Sequence, residues 1–133
     1  MRGAVHHIDL TVMDLARSGS FYDQVLGFLG YHRTRNDAVG SNWELRDDGR
    51  LICEVDIRAA RSDRAHDRYT AGLHHLAWHA ESRADVDRLH ERLLAMDARI
   101  LDAPADYPRY GAGYYAVFFA DPDGLKLEFV HWP

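Results

Sequence analysis

The chain lacks several features that would mark other classes of protein. It has a single cysteine, Cys53, in 133 residues, so no intrachain disulfide can form and a reducing compartment is expected. No apolar run reaches the ~18 residues of a membrane span, and nothing near the N-terminus resembles the apolar core of an export signal. A cytoplasmic location with no membrane partner is the expectation. An excess of positive charge is also missing. Sixteen Lys and Arg against 21 Asp and Glu leave a formal net charge of -5, the wrong sign for the basic stripe that nucleic acid demands. The one local basic cluster, Arg58, Arg61, Arg64 and Arg68, is interleaved with Asp63 and Asp67 and reads as a solvated linker. With 47% hydrophobic and 28% charged residues, the composition is that of a globular domain able to bury a core without cross-links.

What the chain does have is a repeat. Val5-His6-His7-Ile8-Asp9-Leu10 and Leu73-His74-His75-Leu76-Ala77-Trp78 each open a short apolar strand on a histidine doublet. Each is followed by a helical segment, and each half closes with a turn and a strand carrying one glutamate. These are Asp47-Asp48-Gly49 leading to Glu54, and Asp121-Pro122-Asp123-Gly124 leading to Glu128. His7 to His75 is 68 residues and Glu54 to Glu128 is 74, so the second half holds six extra residues.

Alternation predicts a first strand over 4–12. Asp14 is placed to cap a helix through Leu26, with Gly27 to end it and Phe21, Tyr22, Val25 and Leu26 as its apolar stripe. Strands are expected over 30–36, 41–46 and 50–57, with residues 58–71 as the connection between halves. The second half, 72–133, restarts with a strand over 72–80. Ser82 caps a helix with Asp85 in the capping-box position, and Val86, Leu89, Leu93 and Met96 share its apolar face. A strand over 98–103, a loop rich in Tyr, Pro and Gly over 104–113, and a final hairpin over 114–131 complete it. Strand, helix and three strands, given twice (1–57 and 72–133), imply an α+β fold.

Side chains alternate between faces along a strand, so parity sorts the repeat's polar residues. His7, Asp9 and Thr11 oppose Ile8, Leu10 and Val12; Glu54 and Asp56 oppose Cys53, Val55 and Ile57; His75 opposes Leu76; Glu128 opposes Leu127 and Phe129. If the helices cover the greasier faces, His7, Glu54, His75 and Glu128 share the other face, two from each half. The same logic rejects the first member of each doublet and predicts that His6 and His74 pack beneath the helices. Imidazoles and carboxylates in this ratio suit a divalent metal, with Ni, Zn, Co, Fe and Mn all compatible. Asp56 competes with Glu54 on the same face, and Glu54 has a bland alternative as an ion-pair partner of Arg46 or Arg50. His79 and Asp9 are candidates for groups beside the ligands.

At these residues the chain resembles the vicinal oxygen chelate superfamily, which includes glyoxalase I, extradiol dioxygenases and bleomycin resistance proteins. The matching stretches are His7-Ile8-Asp9-Leu10-Thr11-Val12, Asp14-Leu15-Ala16-Arg17-Ser18, Phe21-Tyr22 and Val25-Leu26-Gly27-Phe28. In the second half they are His75-Leu76-Ala77-Trp78 and Phe119-Ala120-Asp121-Pro122-Asp123-Gly124-Leu125-Lys126-Leu127-Glu128. The resemblance implies paired βαβββ modules with curved mixed sheets around a metal and ligand cup, a small-molecule substrate and a homodimer. The ligand set His7, Glu54, His75, Glu128 resembles that of glyoxalase I, which implies a metal-dependent lyase or isomerase acting on a small carbonyl compound. It makes Glu128 the first choice for the proton-transfer base and Glu54 the second. An extradiol-type dioxygenase using His7, His75 and Glu128, or a non-catalytic small-molecule binding protein, are the competing expectations. Where bacterial glyoxalase I carries an Arg four residues after the first His, this chain has Thr11, a departure that points away from glutathione adducts. The loop around Arg109, Tyr110 and Tyr114, together with His79, is the expected substrate-binding segment.

Overall fold

The computed structural model describes residues 2–133. Two compact units divide the chain, one ending at Arg64 and the other running from Ala65 to Pro133. The first contains β1 (His7–Val12), α1 (Leu15–Phe28), β2 (His32–Asn36), β3 (Gly40–Asp47) and β4 (Arg50–Ala59). The second contains β5 (His75–His79), α2 (Arg83–Ala95), β6 (Arg99–Asp106), β7 (Tyr115–Ala120) and β8 (Lys126–His131). Each unit is a βαβββ module, and the expected α+β class holds. The sheet orders are β1-β4-β3-β2 and β5-β8-β7-β6, each mixed and open, with one parallel pair beside antiparallel ones. The chain reaches the parallel neighbour only after crossing over through the helix and the hairpin strands.

Local chemistry explains the elements. Asp14 accepts a hydrogen bond from the Arg17 backbone N–H at 3.0 Å and so caps α1. The helix does not stop at Gly27, as the sequence pattern suggests, but runs to Phe28. Gly30, at φ +91°, ends it through the paired bonds Gly30 N–H to Gly27 O (3.2 Å) and Tyr31 N–H to Leu26 O (2.9 Å). Gly19 lies buried within α1, where a Cβ would stand 3.1 Å from the Arg33 guanidinium, so close approach by that arginine offsets the lower helix propensity of glycine. In α2, Ser82 accepts from the Asp85 N–H at 3.1 Å, and Asp97 at φ +57° takes the helix-ending role that Gly30 has in the first module.

The β3–β4 hairpin turns on Asp48 and Gly49, both at positive φ, as a type I′ turn requires. The β7–β8 turn is tied by the Asp121 carboxylate, which accepts from Asp123 N–H (2.9 Å) and Leu125 N–H (2.8 Å). Strand β6 is longer than expected and includes Pro104. It is an edge strand interrupted by register shifts between Ile100 and Asp102 and between Asp102 and Ala105, the setting in which a strand tolerates proline.

Helix α1 packs on the β3–β4 side of its sheet and buries Phe21, Tyr22, Val25 and Leu26. Trp43, Val55 and Ile57 of that sheet are fully buried. Helix α2 packs against β6, β7 and β8 and buries Val86, Leu89 and Leu93. In the second sheet the opposite face is buried too, through a cluster of Ala116, Phe118 and Val130 flanked by Leu101, Tyr107 and Tyr114. Among the described residues no helix is long and apolar enough to cross a membrane.

Candidate functional site

In the first module the parallel β1–β4 pairing sets His7 level with Glu54 and Asp9 level with Asp56. Adjacent strands lie about 4.8 Å apart, so side chains at matched positions on one face stand within reach of each other. The ligand-type atoms of His6, His7 and Glu54 all lie within 4.8 Å of one another. The two imidazoles meet Nδ1 to Nδ1 at 3.0 Å, and His6 Nδ1 is 4.0 Å from Glu54 Oε2. Asn42 on β3 offers its amide to Glu54 Oε1 at 3.5 Å.

Two of the alternatives weighed for Glu54, the partner Arg46 and the competitor Asp56, are occupied elsewhere. Arg46 pairs with Glu44 at 2.6 Å. Asp56 is engaged by Arg35 at 2.5 Å and by Arg58 at 3.3 Å, and Arg58 also reaches Asp9 at 3.3 Å. Arg58 is therefore a β4 residue committed to the sheet, not part of a solvated linker. Its place in the strand continues the alternation two residues beyond Asp56.

In the second module the register differs. His75 is level with Lys126, and Glu128 lies opposite Ala77, two residues further along. A shift of two keeps both side chains on one face. His75 Nε2 stands 3.3 Å from Glu128 Oε2, and His74 meets His75 Nδ1 to Nδ1 at 2.8 Å. The other Glu128 oxygen, Oε1, accepts a hydrogen bond of 2.5 Å from the Tyr114 hydroxyl. Burial, then the Glu128 hydrogen bond and charge, raise the Tyr114 phenol well above its ordinary value and keep it a donor. Burial also pushes the Tyr107 phenol up. His74 is held below the usual histidine range, first by desolvation and then by the charges of His75, Lys126 and Arg68.

His6 and His74 do not pack beneath the helices. Both are exposed, because each precedes the first residue of its strand and escapes the alternation that binds His7 and His75. Each instead contacts the second histidine of its own doublet. His79 is exposed on β5. Of the loop residues, Arg109 donates to the Tyr110 hydroxyl at 2.9 Å with its guanidinium 4.7 Å from that ring. Tyr110 stacks on Tyr107 at 5.9 Å and leans on Tyr114 at 5.3 Å. Trp132, beyond the end of β8, packs on Tyr114 at 5.7 Å and remains 55% exposed. It was not anticipated from the sequence, where a tryptophan next to the C-terminus carries no signal of its own.

These groups fit a divalent transition ion. Metal–ligand bonds of about 2.0–2.2 Å at right angles put neighbouring donor atoms about 3 Å apart, close to the His75–Glu128 separation. Nδ1 of His7 and of His75 is taken up within its own doublet, which leaves Nε2 as the outward nitrogen; in His75 it faces Glu128 Oε2, and a partner on the other ring nitrogen is what commonly orients a ligating imidazole.

A family model described as the Glyoxalase/Bleomycin resistance protein/Dioxygenase superfamily matches residues 4–129. The chain is 36% identical to the Bacillus subtilis protein YqjT over 126 residues, covering 95% of this chain and 97% of that protein. It is 30% identical to a 2-epi-5-epi-valiolone epimerase from Actinomyces sp., covering 98% of this chain and 80% of the epimerase. Among solved structures, a candidate glyoxalase from Bacillus halodurans superposes with a TM-score of 0.83 at 29% identity, covering 98% and 97% of the two chains.

Proposed function

This chain belongs to the Glyoxalase/Bleomycin resistance protein/Dioxygenase superfamily, and from that premise we propose that it is a metal-dependent lyase or isomerase of glyoxalase type. Its substrate is a small carbonyl compound that chelates through neighbouring oxygens and moves a proton on an adjacent carbon. His7, Glu54, His75 and Glu128 are the proposed ligands. The observation that carries the reading is that each module sets one imidazole and one carboxylate side by side on one sheet face. A bound divalent ion would supply Lewis acidity at the carbonyl oxygen and lower the barrier to losing the neighbouring proton. One of the two glutamates takes that proton from carbon as the C–H electron pair shifts toward the oxygen, then returns it to the same or the adjacent carbon. The name of the epimerase relative supports isomerisation over oxygen chemistry, since an epimerase moves a proton and consumes no oxidant.

Arg109, Tyr110, Tyr114 and His79 are proposed to border the substrate, with the aromatic loop excluding water from the reacting carbon. We further propose a cytoplasmic homodimer, because each four-stranded sheet leaves two edge strands that association would cover.

The test is hydrogen exchange. Hydroxyacetone incubated in D2O with Ni- or Zn-loaded protein should gain deuterium on its hydroxyl-bearing carbon faster than with the same concentration of free ion. The Glu54→Gln, Glu128→Gln double variant should lose about 100-fold to 10,000-fold of that excess, the usual worth of a positioned acid–base group. Exchange no faster than the free ion, with this and related hydroxycarbonyl probes, would count against the reading.

A further inference from the structure

The two glutamates proposed as ligands stand in unlike surroundings. Glu54 has 26% of its side chain exposed, and both its contacts are long: the Asn42 amide at 3.5 Å from Oε1 and His6 Nδ1 at 4.0 Å from Oε2. Glu128 has 3% of its side chain exposed, and its two oxygens are divided between two partners. Oε2 faces His75, and Oε1 takes the short bond from Tyr114. Tyr114 is itself fixed. Its ring packs between Tyr110 and Trp132, and its carbonyl accepts the Tyr107 N–H at 2.8 Å, which ties the loop across the strand ends. The position opposite Glu128 on β7 is Phe118, whose ring also lies 4.4 Å from the Lys126 ammonium.

Resting on the metal-dependent reading above, we propose that Tyr114 is a positioning residue that holds Glu128 Oε1 and presents only Oε2 to the ion. A carboxylate that can turn binds an ion through one oxygen or two. One whose far oxygen is held by a rigid phenol is confined to one. Glu128 thereby becomes the fixed carboxylate of the pair, and Glu54, with no phenol on it, is the carboxylate able to change partners. This reverses the order that family resemblance gives the two residues. It also moves Tyr114 from a substrate contact to a support for a ligand. Partners of ligating carboxylates commonly matter by about 10–100-fold in metal affinity.

The experiment uses the full chain, purified without a metal-affinity tag and loaded with Co(II), whose visible spectrum reports ligand number and geometry. Tyr114→Phe keeps the ring and its stacking and removes only the hydroxyl. It should weaken Co(II) binding by about 10–100-fold and change the shape and intensity of the visible bands. Tyr115→Phe is the matched control: its hydroxyl donates to Asp87 at 2.6 Å, and its loss should leave Co(II) affinity and spectrum as in the unaltered chain. Melting of the metal-free proteins separates support of the ligand from support of the fold, and both variants should melt within a few degrees of the parent. Unaltered Co(II) affinity and spectrum in Tyr114→Phe would overturn the positioning role while leaving the metal-dependent reading intact. Failure of the parent chain to bind Co(II) would overturn both, so the two failures are distinguishable. Equal losses in Tyr114→Phe and Tyr115→Phe, tracking lowered melting temperatures, would also overturn it.

Discussion

His75→Ala should abolish measurable binding of a divalent transition ion at micromolar concentration while leaving the fold in place. The imidazole lies 3.3 Å from Glu128, is exposed rather than packed, and contributes no apolar core. Truncation therefore removes a donor without opening a cavity. Residues that merely support a ligand typically account for about 10–100-fold in affinity, and deleting the ligand itself should exceed that range. Competition against a chromogenic chelator measures the loss, and circular dichroism checks that the strands survive. Affinity within a few-fold of the parent would mean that His75 is not a ligand, and that its contact with Glu128 is an ordinary hydrogen bond or ion pair.

Trp43→Ala should have the largest effect on stability. The indole is fully buried on β3 and level with Val55 of β4, its ring centroid is 6.3 Å from that of Tyr22 on α1, and the Arg33 guanidinium sits 5.1 Å above it. Its Nε1–H donates to Asp23 at 3.0 Å. Removal leaves a cavity between helix and sheet, and losses for such truncations run to about 3–5 kcal/mol. That is a large share of the ~5–15 kcal/mol that holds a typical domain together. Urea unfolding would register it as a lower midpoint. Trp43→Phe, which retains most of the ring volume, should cost distinctly less. An unfolding free energy within about 0.5 kcal/mol of the parent for Trp43→Ala would show that this layer is not the core of the first module.

Much of the architecture was legible in the sequence because its signals are local and physical. The order of elements, the Asp14 and Ser82 caps, and the two Asp/Gly turns follow from side chains that satisfy neighbouring backbone groups. The errors are equally physical. Gly27 and Gly30 are both plausible helix stops by residue type, and only the pair of backbone bonds at Gly30 distinguishes them. Pro104 looks like a strand breaker, yet an interrupted edge strand has positions that need no N–H. Arg58 reads as linker charge until pairing with β1 brings it to Asp9 and Asp56.

For the candidate site, strand parity separates His7 from Ile8 and Glu128 from Leu127, but it has no authority outside a strand. His6 and His74 precede their strands, which is why they stand exposed beside their neighbours rather than under a helix. The Tyr114–Glu128 bond was also beyond reach. The two residues are 14 apart in sequence, and nothing in their spacing says that the phenol turns toward the carboxylate instead of toward a substrate. The two-residue difference in register between the modules is likewise a property of pairing, and sequence periodicity alone carries no trace of it.

Elemental analysis of the protein purified without a metal-affinity tag, dialysed and then offered Ni, Co, Zn, Fe(II) or Mn in turn, tests the account most directly. The expected result is close to one ion per chain for at least one of these metals, falling to background when His7 and His75 are both replaced by alanine. Background metal in the parent chain under every condition, or a full ion retained after both histidines are gone, would contradict it.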